Sequence, residues 1–374
     1  MRIGVPKEIK DHEFRVGLTP DSARELIHRG HEVIVETGAG KAIGFSDDLY
    51  MSSGAEIKYS AKDVFANSEL IVKVKEPQPS EVAMLRPEHT LFTYLHLAPD
   101  IALTDSLINS GATCIAYETV TDASGNLPLL APMSEIAGRM AVQAGAHSLE
   151  MEAGGRGVLL SGAPGVSPAE VLILGAGVVG VNALAIAVGM GARVTIMDTS
   201  MARLRTLDQQ YGNRVTTRYS TRTALDELLP KADLVIGAVL LPGESAPKLI
   251  QRTHLDTMKR GAVIVDVAID QGGCCETSRP TTHRDPTYTE QEVVHYCVAN
   301  MPGAVARTST LALNNATLPF VINIAEQGVK ASLLAAPHLL NGLNIFDGKL
   351  VSPEVAHSQK RNVSNRKALL EQNS

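Results

Sequence analysis

The chain has 374 residues, 44% of them hydrophobic and 20% charged. That is enough apolar matter for two or three folded domains and too much for a mainly disordered chain. Lys and Arg number 34 against 40 Asp and Glu, aromatic residues make up 4% and Trp is absent, so the chain lacks the positive field and stacking surface of a nucleic-acid binder. Taken in order, RIGV (2–5) predicts a strand, and Thr19 an N-cap before Pro20 for a helix that Gly30 stops. HEVIVE (31–36) predicts a strand, Ser46 and Asp47 a short helical piece, AEIK (55–58) a strand and SAKDVFANSE (60–69) a helix. LIVKVKEP (70–77), TLFTYLHL (90–97) and TCIAYETV (113–120) predict strands, with a helix over IALTDSLINSG (101–111) before the last of them. Strands alternating with helices predict an α/β class with a parallel sheet covered on both faces.

The turn-rich stretch TDASGNLPLLAP (121–132) marks a boundary, and a long helix is predicted from about Met133 to Glu150. Ser134, Ala137, Gly138, Ala141, Gly145 and Ser148 form a small-residue stripe on it, suited to close packing within the chain or between subunits. A second alternating set follows: EVLILG (170–175), RVTIMD (193–198), RVTTRYS (214–220), DLVIGAVL (233–240), AVIVDVAID (262–270) and VVHYCVA (293–299). Six strands with helical connections are the number of a doubly wound dinucleotide fold. The run 308–328 predicts a helix interrupted by Pro319, and the polar stretch from Gln359 onward predicts loose order. No internal repeat is visible.

Val171 to Ala192 is 22 residues long and apolar enough to suggest a membrane span, but its five glycines divide it into strand, turn and helix. The N-terminus is polar from Lys7, unlike a signal peptide. Cys114, Cys274, Cys275 and Cys297 contain no CxxC pair and read as free thiols in a reducing cytoplasm.

The strongest motif is Gly175-Ala176-Gly177-Val178-Val179-Gly180, between a buried strand and an Ala-rich helix. Gly175 permits the tight turn, Gly177 the approach of a pyrophosphate and Gly180 close helix–strand packing, while the helix start favours phosphate. Asp198 ends the next strand, 18 residues beyond Gly180. A carboxylate there accepts from ribose hydroxyls and repels a 2′-phosphate, which favours NAD over NADP; nearby Arg203 weakens that preference slightly. Arg15, Lys75, His96 and Asp270 fall in loops or at strand ends. Each has an ordinary reading: Arg15 and Lys75 as surface charges, His96 as a loop residue and Asp270 as a cap or turn former. Together they supply a two-pronged grip on a carboxylate, a cation to polarise a carbonyl or imine, and a proton-transfer pair.

The stretches GVPKEIKDHEFRVGLTP, KVKEP, LFTYLHLA, PMSEIAGRMAVQAGA, GGRGVLLSGAPGV, VLILGAGVVG, DVAIDQGGC and VANMPGAV give the chain more than a glycine fingerprint. Over nearly its whole length it resembles the alanine dehydrogenase and transhydrogenase NAD-binding subunit family. The resemblance implies two domains, each a mostly parallel sheet flanked by helices: a substrate domain over 1–130 plus 305–374, and a Rossmann-type NAD-binding domain over 131–304. It implies reversible NAD-linked conversion of L-alanine to pyruvate and ammonium in a cleft between domains, in a cytoplasmic homohexamer with no membrane partner. Arg15 and Lys75 correspond to substrate contacts, and His96 and Asp270 to the proton-transfer pair. Ser134, Gly175, Gly177, Val178, Val179, Gly180, Asp198, Arg203, Ser220, Val239, Leu240, Val267, Ala268, Ile269, Asp270, Arg279, Val298, Ala299, Asn300 and Met301 correspond to cofactor contacts.

The chain departs from that pattern at Asp11-His12, at Ala306, where a proline is common and an interdomain hinge is expected to loosen, and at Asn323 and Gln327. The last two replace an acid and a His that hold magnesium in some relatives, so no metal site is expected. Two rivals remain on sequence grounds: a transhydrogenase-like NAD-binding subunit without dehydrogenase activity, and a saccharopine- or lysine-type dehydrogenase.

Overall fold

Helix starts follow side chains that take up otherwise unpaired amide groups. In the computed structural model, which describes residues 1–239 and 246–372, Thr19 accepts from Ser22 N ahead of the helix Pro20–His28. Ser46, Ser60 and Asp100 do the same for Asp47–Ser52, Ala61–Ala66 and Ile101–Ser110. The chain divides into two units, Met1–Pro132 with the chain from Val305 onward, and Met133–Ala304.

The first unit begins with β1 (Arg2–Val5), β2 (Glu32–Glu36), β3 (Glu56–Lys58), β4 (Leu70–Val72), β5 (Thr90–Thr93) and β6 (Thr113–Ala116), all parallel in the order β6-β5-β4-β1-β2-β3. Every residue of LIV, TLFT and TCIA is buried, as expected of strands covered on both faces. β4, β5 and β6 are shorter than the apolar runs that predict them. Lys75, Tyr94–His96 and Tyr117–Thr119 lie beyond the last ladder pair, in loops or a short 3₁₀ turn.

In the second unit, β7 (Glu170–Leu174), β8 (Arg193–Asp198), β9 (Val215–Tyr219), β10 (Leu234–Gly237) and β11 (Val263–Asp266) are joined by β12 (Thr287–Glu290) and β13 (Val293–Tyr296) in the order β12-β13-β11-β10-β7-β8-β9. β12 is antiparallel to β13 and unforeseen; THRDPTYTE has too little apolar alternation to announce it. The apolar run of 171–192 resolves into β7, the glycine turn and the helix Val178–Gly189. Among the described residues no helix is long and apolar enough to cross a membrane. The small-residue stripe lies on the helix Ala131–Ser148 and packs within the chain. A Cβ at Gly138 would lie 2.2 Å from Val179 O, and one at Gly145 would lie 2.6 Å from the Leu234 side chain.

After Val305 the chain returns to the first unit and adds β14 (Leu343–Phe346), antiparallel to β6, and β15 (Lys349–Leu350). Two expectations are corrected here. Pro319 sits inside one continuous helix, Ala306–Gln327. The loss of one helical hydrogen bond at Pro319 is outweighed by a buried face: Asn314 accepts from Thr19 N at 2.8 Å and donates to Gly17 O at 3.2 Å. The tail is also more ordered than its polarity suggests. Arg366–Gln372 is a helix held by buried Leu370 and by Arg366, which donates to Leu340 O and Asn341 O.

Candidate functional site

In the second unit the glycine loop follows β7. Gly175 has φ +102°, and a Cβ there would lie 2.7 Å from Ala238 O, next to Val239. A Cβ at Gly180 would lie 1.8 Å from Gly175 O, so only glycine lets the helix Val178–Gly189 sit on this strand end. Gly177 is different. Its Cβ would meet only the Arg203 guanidinium at 4.0 Å, and it caps the helix without a side-chain hydrogen bond. Helix-start amides beside an open glycine fit a pyrophosphate. Val178 is exposed and Val179 half-buried beside them.

Asp198 ends β8 with both carboxylate oxygens engaged: Oδ2 accepts from Ala176 N at 2.6 Å and Oδ1 from Ser200 N at 2.7 Å. Arg203 Nη1 lies 3.9 Å from Oδ2, and Ser220 N donates to Asp198 O at 3.0 Å. Asp198 thus fastens the glycine loop to β8. Ser134 lies one turn before Gly138 on the helix Ala131–Ser148. Leu240 lies outside the described residues.

β11 stops at Asp266, and Val267–Gln271 is a 3₁₀ turn. Asp270 therefore does not end a strand; it is exposed on that turn. The reason is Asp266, fully buried, whose carboxylate accepts from Ala268 N, Cys274 N, Cys275 N and Ser278 Oγ at 2.6–3.2 Å and folds the chain back. Val265 pairs with Tyr296 of β13, so Val267–Ile269 and Val298–Met301 leave neighbouring strand ends. Asn300 has φ +60° and its carbonyl lies 3.2 Å from His283 Nε2, while Arg279 stacks 4.1 Å over the Tyr288 ring. These positions cluster at the carboxyl ends of the parallel strands, where strand order reverses between β7 and β10 and open α/β sheets bind ligands.

The first unit has its own reversal, between β1 and β4. Arg15 follows β1 and is no surface charge: it is 2% exposed, and its Nε and Nη2 donate to the two oxygens of Glu13 at 2.7 and 2.6 Å. Burial works to raise the Glu13 pKa, but hydrogen bonds and charge from Arg15 outweigh it and hold the carboxyl below its usual range. Lys75 follows β4. Burial lowers its pKa, and the neighbouring Arg15 and Lys10 cations add to that against the pull of Glu76.

His96 follows β5 in the left-handed region, φ +50°, at a strain of about 1–3 kcal/mol for a residue with a side chain. Its backbone N donates to Glu118 Oε1 at 2.6 Å, and Leu95 N lies 3.2 Å from both Glu118 oxygens. The His96 ring stacks on Tyr94, centroids 5.7 Å apart and 9° from parallel. Tyr94 also feels the Arg15 charge, as Lys75 does. Arg15, Lys75 and His96 thus share one neighbourhood, while Asp270 belongs to the second unit.

The model of the alanine dehydrogenase/PNT N-terminal domain matches residues 4–137, and that of the C-terminal domain matches 141–353. An alanine dehydrogenase of Halomonas elongata is 59% identical over 96% of both chains, and one of Mycolicibacterium smegmatis is 53% identical over 95% of this chain and 96% of its own. A solved L-alanine dehydrogenase superposes with a TM-score of 0.94 at 52% identity, covering 96% of this chain and 99% of its own. A transhydrogenase structure from Sinorhizobium meliloti follows at 0.80 and 25%, covering 94% and 99%. The chain belongs to the alanine dehydrogenase/PNT family.

In this family member a set of carboxylates escaped the sequence reading. Lys73, fully buried, lies 3.1 Å from Glu8 and 2.6 Å from Glu81. Burial works to lower its pKa; the two carboxylates outweigh burial and raise it. The other Glu8 oxygen accepts from Val74 N at 2.7 Å and Lys75 N at 3.4 Å, holding the backbone that presents Lys75. Glu8, Glu13, Glu118 and Asp266 each bind a side chain or backbone amides at a loop that carries a candidate residue. An acid or lysine inside an otherwise apolar run, as in VIVDVA and LIVKVK, was the available signal for Asp266 and Lys73. Glu8, Glu13 and Glu118 stand among polar neighbours and carried none.

Proposed function

We propose that this chain catalyses the reversible NAD-linked oxidative deamination of L-alanine to pyruvate and ammonium. The observation that carries the reading is the buried Arg15 beside a Lys75 of lowered pKa at the strand reversal of the first unit, on a chain 59% identical to an alanine dehydrogenase. Arg15, fixed in orientation by Glu13, takes the substrate carboxylate. Lys75 polarises the carbonyl or imine carbon and stabilises developing negative charge on oxygen. His96 and Asp270 move protons as the carbinolamine forms and collapses. In the second unit the 175–180 loop holds the pyrophosphate and Asp198 the ribose hydroxyls; NAD supplies the hydride acceptor. The open Gly177 and the uncapped helix start fit that group. We assign the enzyme to the cytoplasm and to a homo-oligomer, a hexamer by resemblance, and give no metal a role.

The relatives at 53–59% identity are named alanine dehydrogenases, against 25% for the transhydrogenase structure, which disfavours a binding subunit without dehydrogenase activity. The test is formation of reduced nicotinamide from alanine and NAD, followed by Lys75→Ala, His96→Ala and Asp270→Ala. Each variant is expected to lower turnover about a hundredfold or more, with NAD binding retained in the Lys75 and His96 variants. Near-normal turnover in all three would overturn the site.

A further inference from the structure

Resting on that reading, we propose that Glu118 is a positioning residue for His96, acting on the reaction through the main chain rather than by touching substrate. β5 and β6 are parallel neighbours with Thr93 opposite Ala116, so the segments after them leave the sheet side by side. The segment after β6 is the 3₁₀ turn Tyr117–Thr119, which places the half-buried Glu118 carboxylate against the segment after β5. There it accepts from His96 N at 2.6 Å and sits 3.2 Å from Leu95 N through both oxygens. Two amides turned toward one carboxylate require the chain to reverse at this point, and His96 makes that reversal at φ +50°. This backbone is uncommon for a residue with a side chain, although histidine takes it more readily than most, and it persists where the surroundings hold it. The ring is then held against Tyr94, whose hydroxyl donates to Leu129 O at 2.6 Å. Without the carboxylate, the backbone at 96 relaxes toward extended or right-handed conformations and swings the imidazole out of its pose.

The experiment is steady-state pyruvate amination by the full chain, with NADH affinity and thermal midpoint measured beside it. The set comprises wild type, Glu118→Ala, Glu118→Gln, Glu118→Asp, His96→Ala and the Glu118→Ala/His96→Ala double variant. Loss of a charge-assisted hydrogen bond at the reacting group sets the expected fall in kcat for Glu118→Ala at roughly ten- to hundredfold, with NADH affinity unchanged. In the His96→Ala background the same change is expected to cost less than about threefold, because the group it positions is gone. Gln keeps an acceptor oxygen in place and is expected to retain most activity, whereas Asp keeps the charge but withdraws it by one methylene and is expected to lose more. Should Glu118→Ala not fold, Glu118→Asp carries the same comparison with His96→Ala. Multiplying losses in the double variant, or Asp faster than Gln, would overturn the positioning role while leaving the dehydrogenase reading intact. A wild type that consumes no NADH with pyruvate and ammonium overturns both.

Discussion

The two sheets are wound in the same order, β3-β2-β1-β4-β5-β6 and β9-β8-β7-β10-β11-β13, with no sequence repeat behind the likeness. Their strand reversals are built from opposite materials. At β1/β4 the chain buries charge: Arg15 with Glu13, and Lys73 between Glu8 and Glu81. At β7/β10 it presents glycines and main-chain amides, fastened by one aspartate. A phosphate is met well by backbone N–H groups at a helix start, whereas a small carboxylate and a reacting carbonyl need full charges at fixed points. The fold supplies the place and the side chains supply the chemistry.

The sharpest way to break the first half of that contrast is Lys73→Met, which leaves Glu8 and Glu81 buried without their cation. Removing one partner of a buried ion pair costs about 3–5 kcal/mol. The urea midpoint is expected to fall accordingly and to recover in part when Glu8→Gln and Glu81→Gln are added. An unchanged midpoint in Lys73→Met would mean that the buried charges are not tied into folding.

Asp198→Ala tests the second half. The variant loses a carboxylate proposed for the ribose and also frees Ala176 N and Ser200 N, which it now accepts from. Charge-assisted hydrogen bonds of this kind contribute about 1.5–3 kcal/mol, so NAD affinity is expected to fall roughly ten- to hundredfold. NADP should lose less, since the repulsion of a 2′-phosphate goes too and Arg203 stands beside it. The gap between the cofactors in kcat/KM decides: equal losses would reduce Asp198 to a fastener of the loop.

The smallest effect is one of slope. The folded-state pKa of Glu13 lies below 4.5, so in the window between the two values the unfolded chain binds more protons. Stability from the Glu13–Arg15 pair is complete above that window and drains as pH falls through it, by at most about 1.4 kcal/mol per pH unit for one group. Denaturant midpoints across the acid range are expected to fall less steeply in Glu13→Gln than in wild type. Parallel curves would show that the pair does not shift this titration.

How much of this was legible follows from which signals are local. The glycine fingerprint, the acid 18 residues on and the strand alternation are written within short windows, and β7, β8 and the helix at Val178 lie where those windows put them. Arg15 and Lys75 were legible as candidates, but the burial of Arg15 was not, because it depends on Glu13 and on strands far away in sequence. Asp270 was misplaced onto a strand since VIVDVAID is apolar apart from its two aspartates, and only the amides gathered by Asp266 reveal where the ladder ends. Glu118 was missed because its partners, Leu95 and His96, lie more than twenty residues away across a sheet.

Gly180 carries a consequence for inherited variation. Every missense change of a glycine codon, whatever its chemistry, introduces a β-carbon, and here that carbon would stand 1.8 Å from the Gly175 carbonyl. Alanine and arginine are therefore alike in where they first fail, and tolerance at this codon measures room rather than polarity. Three positions earlier, at Gly177, the same carbon would stand 4.0 Å from the Arg203 guanidinium with nothing closer, so alleles there are expected to be sorted by what the proposed dinucleotide will accept. Two codons of one motif thus answer to different judges, the protein's own backbone at one and, on the proposed function, its cofactor at the other.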